Sequence, residues 1–357
     1  MSDEMRTMSL LGAEMLESRI PAAEEGASVQ PTVQERDGRR MMMVFAGRSH
    51  EELASRIAAR LGIELGRRTV KTFPNGETYM RFDESVRGAD VFLIQSCADP
   101  VDRNLMELLI MVNAAKLASA KRIIAVMPWY PYSRQDKKSS PREPITARLV
   151  ADLLEAAGVD RVLTMDLHAG QVQGFFRFPV DHMTALPQFA QHFRDRGLSH
   201  EQLVVVSADA GRVKLAKKFA EMLGADLAII NKERPDHSEA AVTSIIGDVR
   251  GRVAIISDDI IDTAGTLCAG AQAIARAGAT RVLACATHPV FSGPALERIE
   301  ASVLEEVVVC DTIPVNPVEA PPKVRVLSVA GILAETISNV FSDDSVSAIF
   351  RGENQLF

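Results

Sequence analysis

The sequence predicts an α/β protein with two doubly wound domains, each a mostly parallel sheet flanked by helices. Apolar runs of strand length alternate with amphipathic runs of helix length along nearly the whole chain. The same alternation occurs in both halves, and 357 residues suffice for about two domains. Strands that alternate with crossover helices form parallel sheets, with ligands at the carboxyl ends of the strands.

In the first half, an apolar strand at 41–47 precedes a helix at 49–62, for which Ser49 is the predicted N-cap. Gly158 is placed to end a later helix, because glycine readily adopts the left-handed conformation found at helix ends. The remaining predicted strands are 90–96, 122–129 and 161–168, and the remaining helices are 105–118 and 145–158.

The second half repeats this pattern, with a seam near 184–198. Its predicted strands are 203–209, 226–232, 252–259 and 281–288, and its predicted helices are 211–224 and 266–278. We therefore expect an N-terminal domain over 41–186 and a C-terminal domain over 187–357. Residues 1–40 show little periodicity and become strongly polar, so a disordered extension is predicted there.

Composition excludes several classes of function. The net charge of −7 gives no basic footprint for nucleic acid. The four cysteines show no CxxC pairing, as is typical of reduced thiols in the cytoplasm. The apolar runs are far shorter than the roughly 20 residues that a membrane span needs, and the N-terminus lacks a basic region ahead of an apolar stretch. A cytoplasmic globular protein is expected.

The segment VAIISDDIIDTAGT, residues 253–266, carries the strongest chemical signal. A strand ends in Asp258 and Asp259, and Asp262 opens a loop that runs into a helix. Small residues and a helix N-terminus form a cradle for a phosphate, to which threonine hydroxyls add donors. Three carboxylates would repel that anion, so they are expected to bind something else. That partner is either a neutral group rich in hydroxyls, such as a ribose, or a metal ion. An acidic N-cap is the plainer alternative, but it explains only one of the three acids.

This segment resembles the signature shared by phosphoribosyltransferases and ribose-phosphate pyrophosphokinases. The resemblance implies a 5-phosphoribosyl substrate but leaves the reaction open. The implied binding residues for ribose 5-phosphate are Asp258, Asp259, Asp262, Thr263, Ala264, Gly265 and Thr266, together with Arg234.

A second motif, FPNGE at 73–77, contains an Asn-Gly turn signal next to an aromatic residue. By itself it indicates a plain hairpin. It resembles the pyrophosphokinase loop that enters the ATP site of a neighbouring subunit, which implies that Phe73, Asn75, Gly76 and Glu77 bind ATP.

The stretch YSRQDKKSSPREP at 132–144 resembles the ATP-binding segment and mobile catalytic loop of the same family. The resemblance implies that Arg134, Gln135 and Asp136 bind ATP. Lys137, Lys138 and Arg142 suit closure over a polyphosphate, although a solvated charged loop is the alternative. Ser140 stands where many relatives carry a basic residue, and Pro141 replaces a more flexible one.

Two strand ends carry expected ligands for Mg²⁺. His168 alone would more often be structural, but DLHA at 166–169 matches the family motif whose histidine coordinates the magnesium of ATP. Asp209 is its expected partner. Mg²⁺ keeps waters and phosphate oxygens as ligands, so two protein ligands suffice. Relatives usually read Ser-Pro-Asp-x-Gly-Gly here, whereas this chain has Ala208 and Arg212 at two of those places.

Lys232 and Arg234 follow the next predicted strand and match the family's Lys-x-Arg. The resemblance implies that both are catalytic, the lysine at the transferred phosphoryl groups, and that the arginine also holds substrate phosphate. From local sequence alone, a solvated basic turn is the alternative. No Ser–His–Asp or Cys–His arrangement suggests a protein nucleophile.

Two further segments resemble an allosteric phosphate or ADP site of phosphate-activated bacterial relatives. The residues concerned are Ser85, Arg87, Ser345, Ser347 and Phe350. A structural turn and a docked C-terminal tail are the alternative.

The resemblance covers about residues 41–350, with several motifs in the family's order. It implies two phosphoribosyltransferase-like domains, a homohexamer, and Mg-dependent transfer of the β,γ-diphosphoryl group of ATP to the 1-hydroxyl of ribose 5-phosphate. Two alternatives stay open. An ordinary phosphoribosyltransferase would not need the ATP motifs, and a catalytically silent regulatory homologue would tend to have lost cations around the mobile loop.

Overall fold

A computed structural model describes residues 34–36, 40–198, 202–233 and 241–350. These residues belong to one compact unit, Pro31–Phe357. The unit contains two large, mostly parallel sheets with helices packed against them. The predicted α/β class is therefore confirmed.

The first sheet has six strands in the order β1-β2-β5-β6-β7-β8, and only the β1–β2 pair is antiparallel. Its strands are β1 Gln34–Arg36, β2 Arg40–Ala46, β5 Asp90–Ile94, β6 Arg122–Met127, β7 Arg161–Met165 and β8 Val180–Met183. Its crossover helices are α1 Glu51–Leu61, α2 Val101–Leu117 and α3 Thr146–Ala157. A separate hairpin pairs β3 Arg68–Thr72 with β4 Thr78–Phe82.

Helix α4, Leu186–Asp195, lies between β8 and the first strand of the second sheet. That sheet has seven strands in the order β11-β10-β9-β12-β13-β14-β15, and only β10–β11 is antiparallel. Its strands are β9 Leu203–Ser207, β10 Asp226–Glu233, β11 Ala241–Ile246, β12 Val253–Ile261, β13 Arg281–Pro289, β14 Glu306–Cys310 and β15 Val324–Leu327. Its helices are α5 Val213–Leu223, α6 Gly265–Arg276, α7 Ala295–Ala301 and α8 Ala330–Ser342.

One apolar core joins the two sheets. Side chains of α1, α4, α5 and α8 pack there against strands of both sheets, and Phe189 and Phe193 of α4 are almost fully buried. Because interiors are close-packed, this shared core holds the carboxyl ends of the two sheets in a fixed relation. Among the described residues, no helix combines the length and the apolarity that crossing a bilayer requires.

Two local predictions need correction. The N-cap of α1 is His50, whose Nδ1 accepts from Leu53 N, whereas Ser49 donates its hydroxyl to Gln95 Oε1 at 2.6 Å. Long-range bonding therefore displaced the local preference for serine at the cap. Within the extension expected to be disordered, residues 34–36 form β1, because backbone pairing to the edge of β2 needs no apolar side chains. Apart from Arg40, the rest of that segment lies outside the described residues.

Candidate active site

The carboxyl ends of both sheets meet at one place. Arg134 follows β6 through a short turn, and Asp262 directly follows β12. Arg134 Nη1 donates to Asp262 Oδ2 at 2.6 Å, and both side chains are accessible, 56% and 33% exposed. The expected ATP segment and the expected sugar-phosphate segment are therefore in direct contact.

The loop after β12 leads into α6, at the place where the sequence predicts an anion cradle. Ala264 has φ +57°, a left-handed conformation that turns the chain into α6 at Gly265. No side chain caps this helix, so its first backbone N–H groups can bind an anion, and Thr263 and Thr266 are exposed beside them. Arg298 of α7 adds a cation there, with Nη1 donating to Thr263 O at 3.0 Å.

The three acids of this segment have different surroundings. Asp258 and Asp259 are neighbours near the end of β12, and their carboxyl groups lie close enough to interact with each other. Asp259 is 3% exposed and accepts from His168 Nδ1 at 2.9 Å and from Arg212 Nη2 at 2.5 Å. Asp258 is half-buried, and Asp262 faces Arg134.

These surroundings move the pKa values of the pair apart. Burial raises the pKa of Asp259, but the hydrogen bond from His168 and the charge of Arg212 outweigh it and bring that pKa down to about 2. Burial, followed by repulsion from Asp259, raises the pKa of Asp258 well above its ordinary value. Asp259 is thus the ionised member of the pair, and its carboxylate contacts the imidazole of His168.

His168 comes three residues after β7. Asp166, two residues before it, has φ +32° and is buried, and its Oδ2 accepts from Ala185 N and from Thr287 Oγ1 of the second sheet. Burial raises the pKa of Asp166. The buried carboxylate anchors the turn that carries His168.

Asp209 is the N-cap of a short 3₁₀ turn, Ala210–Arg212. Its Oδ1 accepts from Gly211 N at 2.8 Å and from Arg212 N at 3.1 Å, and its Oδ2 makes no hydrogen bond within the described segments. Arg212 thus contacts Asp209 through its backbone and His168 through its side chain, with Nη2 2.6 Å from Nδ1. The two expected metal ligands are linked by one residue.

These side chains fit Mg²⁺ in the form that ATP brings it. No group of three or more His, Cys, Asp or Glu suitable for a metal occurs among the described residues. One imidazole nitrogen and one carboxylate oxygen remain available, at His168 Nε2 and Asp209 Oδ2. Mg²⁺ commonly takes few protein ligands and completes its shell with water and phosphate.

Gln135 and Asp136, the other two residues of the expected ATP segment, are held by side-chain hydrogen bonds. Gln135 Oε1 accepts from Thr146 Oγ1 at 2.5 Å, and Asp136, 8% exposed, accepts from Gln171 Nε2 at 2.6 Å. Asp136 is therefore positioned to brace the turn, whereas Arg134 and Gln135 face solvent.

The loop that follows presents its cations to solvent. Lys137, Lys138 and Arg142 are exposed. Glu143 Oε2 accepts from Ser139 N at 2.7 Å and from Ser140 N at 2.8 Å, and these bonds, that of Ser140 first, lower the pKa of Glu143. The loop thus contains its own anion, bound by backbone N–H groups.

The FPNGE motif forms the predicted hairpin turn between β3 and β4. Gly76 has φ +90°, and Phe73 N donates to Glu77 O at 2.8 Å. Phe73 is 47% exposed and packs edge-on against Tyr79, with ring centroids 5.8 Å apart. Within the described chain, this turn does not touch the Arg134–Asp262 contact.

Lys232 lies in β10, directly after an irregularity in its pairing with β11. Only its backbone is described. Arg234 lies outside the described residues.

Among the described side chains, the expected regulatory residues do not form one group. Ser345 Oγ and Ser347 Oγ are 2.8 Å apart and line a cavity of about 430 Å³ together with Arg161 and Asp181. Ser85 and Arg87 are exposed at the turn after β4 and do not line it. Phe350 is described by its backbone alone, at the end of the 3₁₀ helix Ser347–Phe350.

Two cations near the site were not predicted from the sequence. Arg212 could have been found, because it stands where the family motif has glycine. Arg298 gave no local signal, because α7 brings it to the cradle only through the fold.

Comparisons with known proteins agree with this arrangement. The model of the N-terminal domain of ribose phosphate pyrophosphokinase matches residues 42–158, and that of the phosphoribosyl synthetase-associated domain matches residues 238–351. The ribose-phosphate pyrophosphokinase of Fusobacterium nucleatum is 51% identical over 308 residues, which are 86% of this chain and 98% of the relative. That of Clostridium perfringens is 52% identical over 309 residues, 86% of this chain and 97% of the relative.

The crystal structure of phosphoribosylpyrophosphate synthetase from Mycobacterium smegmatis superposes with a TM-score of 0.80 at 46% identity. The superposition covers 85% of this chain and 99% of the Mycobacterium smegmatis chain. High identity over almost the full length of these relatives, together with the cradle and its facing arginine, shows that this chain belongs to the ribose-phosphate pyrophosphokinase family.

Proposed function

We propose that this chain transfers the β,γ-diphosphoryl group of ATP to the 1-hydroxyl of ribose 5-phosphate, giving 5-phosphoribosyl 1-diphosphate and AMP. The observation that carries this proposal is the contact of Arg134 Nη1 with Asp262 Oδ2 at 2.6 Å. It joins the segment expected to hold ATP to the segment expected to hold the sugar phosphate, as a direct transfer between the two substrates requires.

Ribose 5-phosphate binds at the segment 258–266. The phosphate takes the N-terminus of α6, where Thr263, Ala264, Gly265 and Thr266 supply backbone N–H groups and hydroxyls. The carboxylates of Asp258 and Asp262 face the ribose hydroxyls, whereas Asp259 is buried against His168 and Arg212 and supports this end of the strand. Arg234 contributes a further contact to substrate phosphate.

ATP binds at Arg134 and Gln135, with Asp136 bracing the turn through Gln171. A planar guanidinium can both stack on a base and bind phosphate oxygens. The exposed hairpin, with Phe73, Asn75, Gly76 and Glu77, completes the ATP site of a neighbouring copy. The exposure of Phe73 supports this, because the ring has an open face for a purine.

In the reaction, the 1-hydroxyl oxygen forms a bond to the β-phosphorus, and the bond from that phosphorus to the α,β-bridging oxygen breaks. The hydroxyl proton is released, and AMP leaves with the bridging oxygen. Lys232 and Arg234 are the catalytic cations that neutralise charge on the phosphoryl oxygens. His168 and Asp209 hold Mg²⁺, which supplies further charge neutralisation when it is bound.

The proposal includes a cytoplasmic homohexamer, as the family resemblance implies, in which the hairpin of one copy completes the ATP site of another. It also includes regulation by phosphate or ADP at Ser85, Arg87, Ser345, Ser347 and Phe350. Since the first two residues do not line the cavity beside Ser345, we propose that they are contributed by a second subunit.

The test is AMP release by purified protein with Mg²⁺, ATP and ribose 5-phosphate. We expect one AMP and one 5-phosphoribosyl 1-diphosphate per turnover, and a loss of at least about 100-fold in kcat for Lys232→Ala. An ordinary phosphoribosyltransferase would instead consume the phosphoribosyl diphosphate and release diphosphate. No AMP from an intact oligomer with phosphate present would favour a silent regulatory homologue and sink the proposal.

A further inference from the structure

We infer that Arg212 and Asp259 compete for Nδ1 of His168, and that this competition decides whether the imidazole can act as a metal ligand. The inference rests on the proposed function, since it concerns the cation that accompanies ATP. It makes Arg212 and Asp259 positioning residues that act through His168.

The three side chains come from separate parts of the fold. His168 follows β7 of the first sheet, Asp259 lies in β12 of the second, and Arg212 ends the turn after β9. Nδ1 is 2.9 Å from Asp259 Oδ2 and 2.6 Å from Arg212 Nη2, and these two atoms are 2.5 Å apart. Arg212 and Asp259 are 8% and 3% exposed, so neither partner is easily replaced by solvent.

The chemistry of the two partners is opposite. A neutral imidazole carries one proton, on either Nδ1 or Nε2. A carboxylate only accepts, so Asp259 favours the proton on Nδ1 and leaves the Nε2 lone pair free for a metal. A guanidinium only donates, so a bond from Arg212 to Nδ1 requires the proton on Nε2, where it blocks coordination.

The available nitrogen is the one that a metal would use. Within the described parts of the chain, His168 makes no hydrogen bond through Nε2, and its side chain is 35% exposed. Asp209, the other proposed ligand, is held by the backbone N–H of the same Arg212. Arg212 therefore affects both ligands, through its main chain at Asp209 and through its side chain at His168.

The arginine is a departure of this chain from the family motif, which has glycine at this place. A glycine has no donor for Nδ1 and places no positive charge beside the cation. With Arg212, metal binding requires the guanidinium to give up Nδ1 and to remain on Asp259 alone. We therefore expect weaker metal binding here than the ligand set by itself would allow.

The experiment titrates the full-length protein with Mn²⁺ alone at pH 8.5, above the ordinary titration range of imidazole, and measures free Mn²⁺ by electron paramagnetic resonance. Arg212→Met removes the donor and keeps much of the side-chain volume, and we expect about 10-fold tighter binding. Asp259→Asn presents an amide donor to Nδ1, which favours the wrong tautomer, and we expect about 10- to 100-fold weaker binding.

A second readout follows the tautomer directly. In protein labelled with ¹⁵N-histidine, the imidazole nitrogen shifts report which nitrogen carries the proton, and His168→Gln identifies the signals of His168. We expect Arg212→Met to place the proton on Nδ1 and Asp259→Asn to place it on Nε2. A purely structural role of either residue would not move the two variants in opposite directions.

Arg298→Met is the matched control, because it removes a cation from the same region without touching His168. Equal tightening by this variant would reduce the effect to long-range charge and overturn the inference. Unchanged Mn²⁺ affinity and unchanged shifts in Arg212→Met would also overturn it. The inference would also be overturned if the Asp259→Asn protein lost affinity for ribose 5-phosphate but kept its affinity for Mn²⁺. Asp259 would then bind the sugar.

If Asp259→Asn does not fold, Arg212→Met and Arg212→Gly decide the question by themselves, because both must tighten Mn²⁺ binding. AMP release by the unaltered protein separates the two proposals. Its absence would overturn the proposed function, whereas its presence with no effect of Arg212 would overturn only this inference.

Discussion

Arg134 and Asp262 are 128 residues apart in the chain, yet Nη1 of the arginine lies 2.6 Å from Oδ2 of the aspartate. The pair bridges the carboxyl ends of the two sheets. We propose that each side chain exchanges this partner for a substrate group when both substrates bind, the guanidinium for ATP and the carboxylate for the ribose. In this proposal the ion pair holds the two segments together before the substrates arrive.

We predict that Arg134→Lys does not replace the arginine. An ammonium cannot stack on a base or form two parallel bonds to phosphate. Loss of one charged hydrogen bond corresponds to about 1.5–3 kcal/mol, so kcat/KM for ATP should fall by about 10- to 150-fold. Steady-state kinetics of AMP release measure this.

The matched control is Asp262→Asn, alone and combined with Arg134→Lys. We expect a coupling energy of about 0.5–3 kcal/mol in the double-mutant cycle, because the two side chains are in direct contact. Fully additive effects on kcat/KM would contradict the proposed link between the two binding segments.

A second prediction concerns the hairpin. Phe73→Ala should change the free energy of unfolding by no more than about 0.5 kcal/mol, since the ring is 47% exposed. It should nevertheless raise KM for ATP, because the ring is proposed to stack on the base in a neighbouring copy. Urea unfolding and AMP-release kinetics measure the two effects.

Mixing Phe73→Ala subunits with Lys232→Ala subunits supplies the control. Sites that combine an intact hairpin with an intact Lys232 should regain activity only if the hairpin serves another copy. No recovery in mixed oligomers would mean that each hairpin acts within its own chain.

A third prediction concerns pH. Burial lowers the pKa of His288 from the ordinary 6.5 to about 4. Between these values the unfolded chain binds a proton that the folded chain does not, so the free energy of unfolding falls as pH falls from 6.5 to 4. The contribution of this histidine is about 3 kcal/mol.

Other buried groups also titrate in this pH range, so the effect of His288 is isolated by comparing the pH dependence of unfolding of the unaltered protein with that of His288→Asn. The raised pKa of Asp166 acts in the opposite sense, since the folded chain then binds the extra proton. The loss of stability of the variant between pH 6.5 and 4 should be smaller by about 3 kcal/mol in urea unfolding. Parallel curves for the two proteins would rule out the assigned role of His288.

A fourth prediction concerns the buried Asp90. Its carboxylate is fully buried and accepts two bonds from Arg122, at 2.9 Å from Nε and 2.7 Å from Nη2. Arg122→Met removes this cation and should lower the free energy of unfolding by about 3–5 kcal/mol. Adding Asp90→Leu should recover part of that loss, and urea unfolding of the three variants measures both steps. A double variant less stable than Arg122→Met would contradict this explanation.

The local sequence pattern was sufficient to predict most of the strands and helices. The ending of α3 at Gly158 and the turn at Asn75–Gly76 follow from backbone preference. The strands predicted at 161–168 and 203–209 follow from short-range periodicity, although they end earlier, at Met165 and Ser207. The N-cap of α1 did not, because Gln95, which directly follows β5, bonds Ser49 and leaves His50 to cap the helix. Local preferences cannot include partners that are distant in sequence.

The sequence by itself determined the α/β class and the family, because the class depends on local periodicity and the family on short motifs that occur in a fixed order. The tertiary structure alone decided which charges meet. Asp258 and Asp259 are identical in type and adjacent in β12, yet of the two it is Asp259 that makes direct contacts with His168 and Arg212, which come from distant parts of the chain. The Arg134–Asp262 contact likewise exists only because a shared core brings the ends of two sheets together.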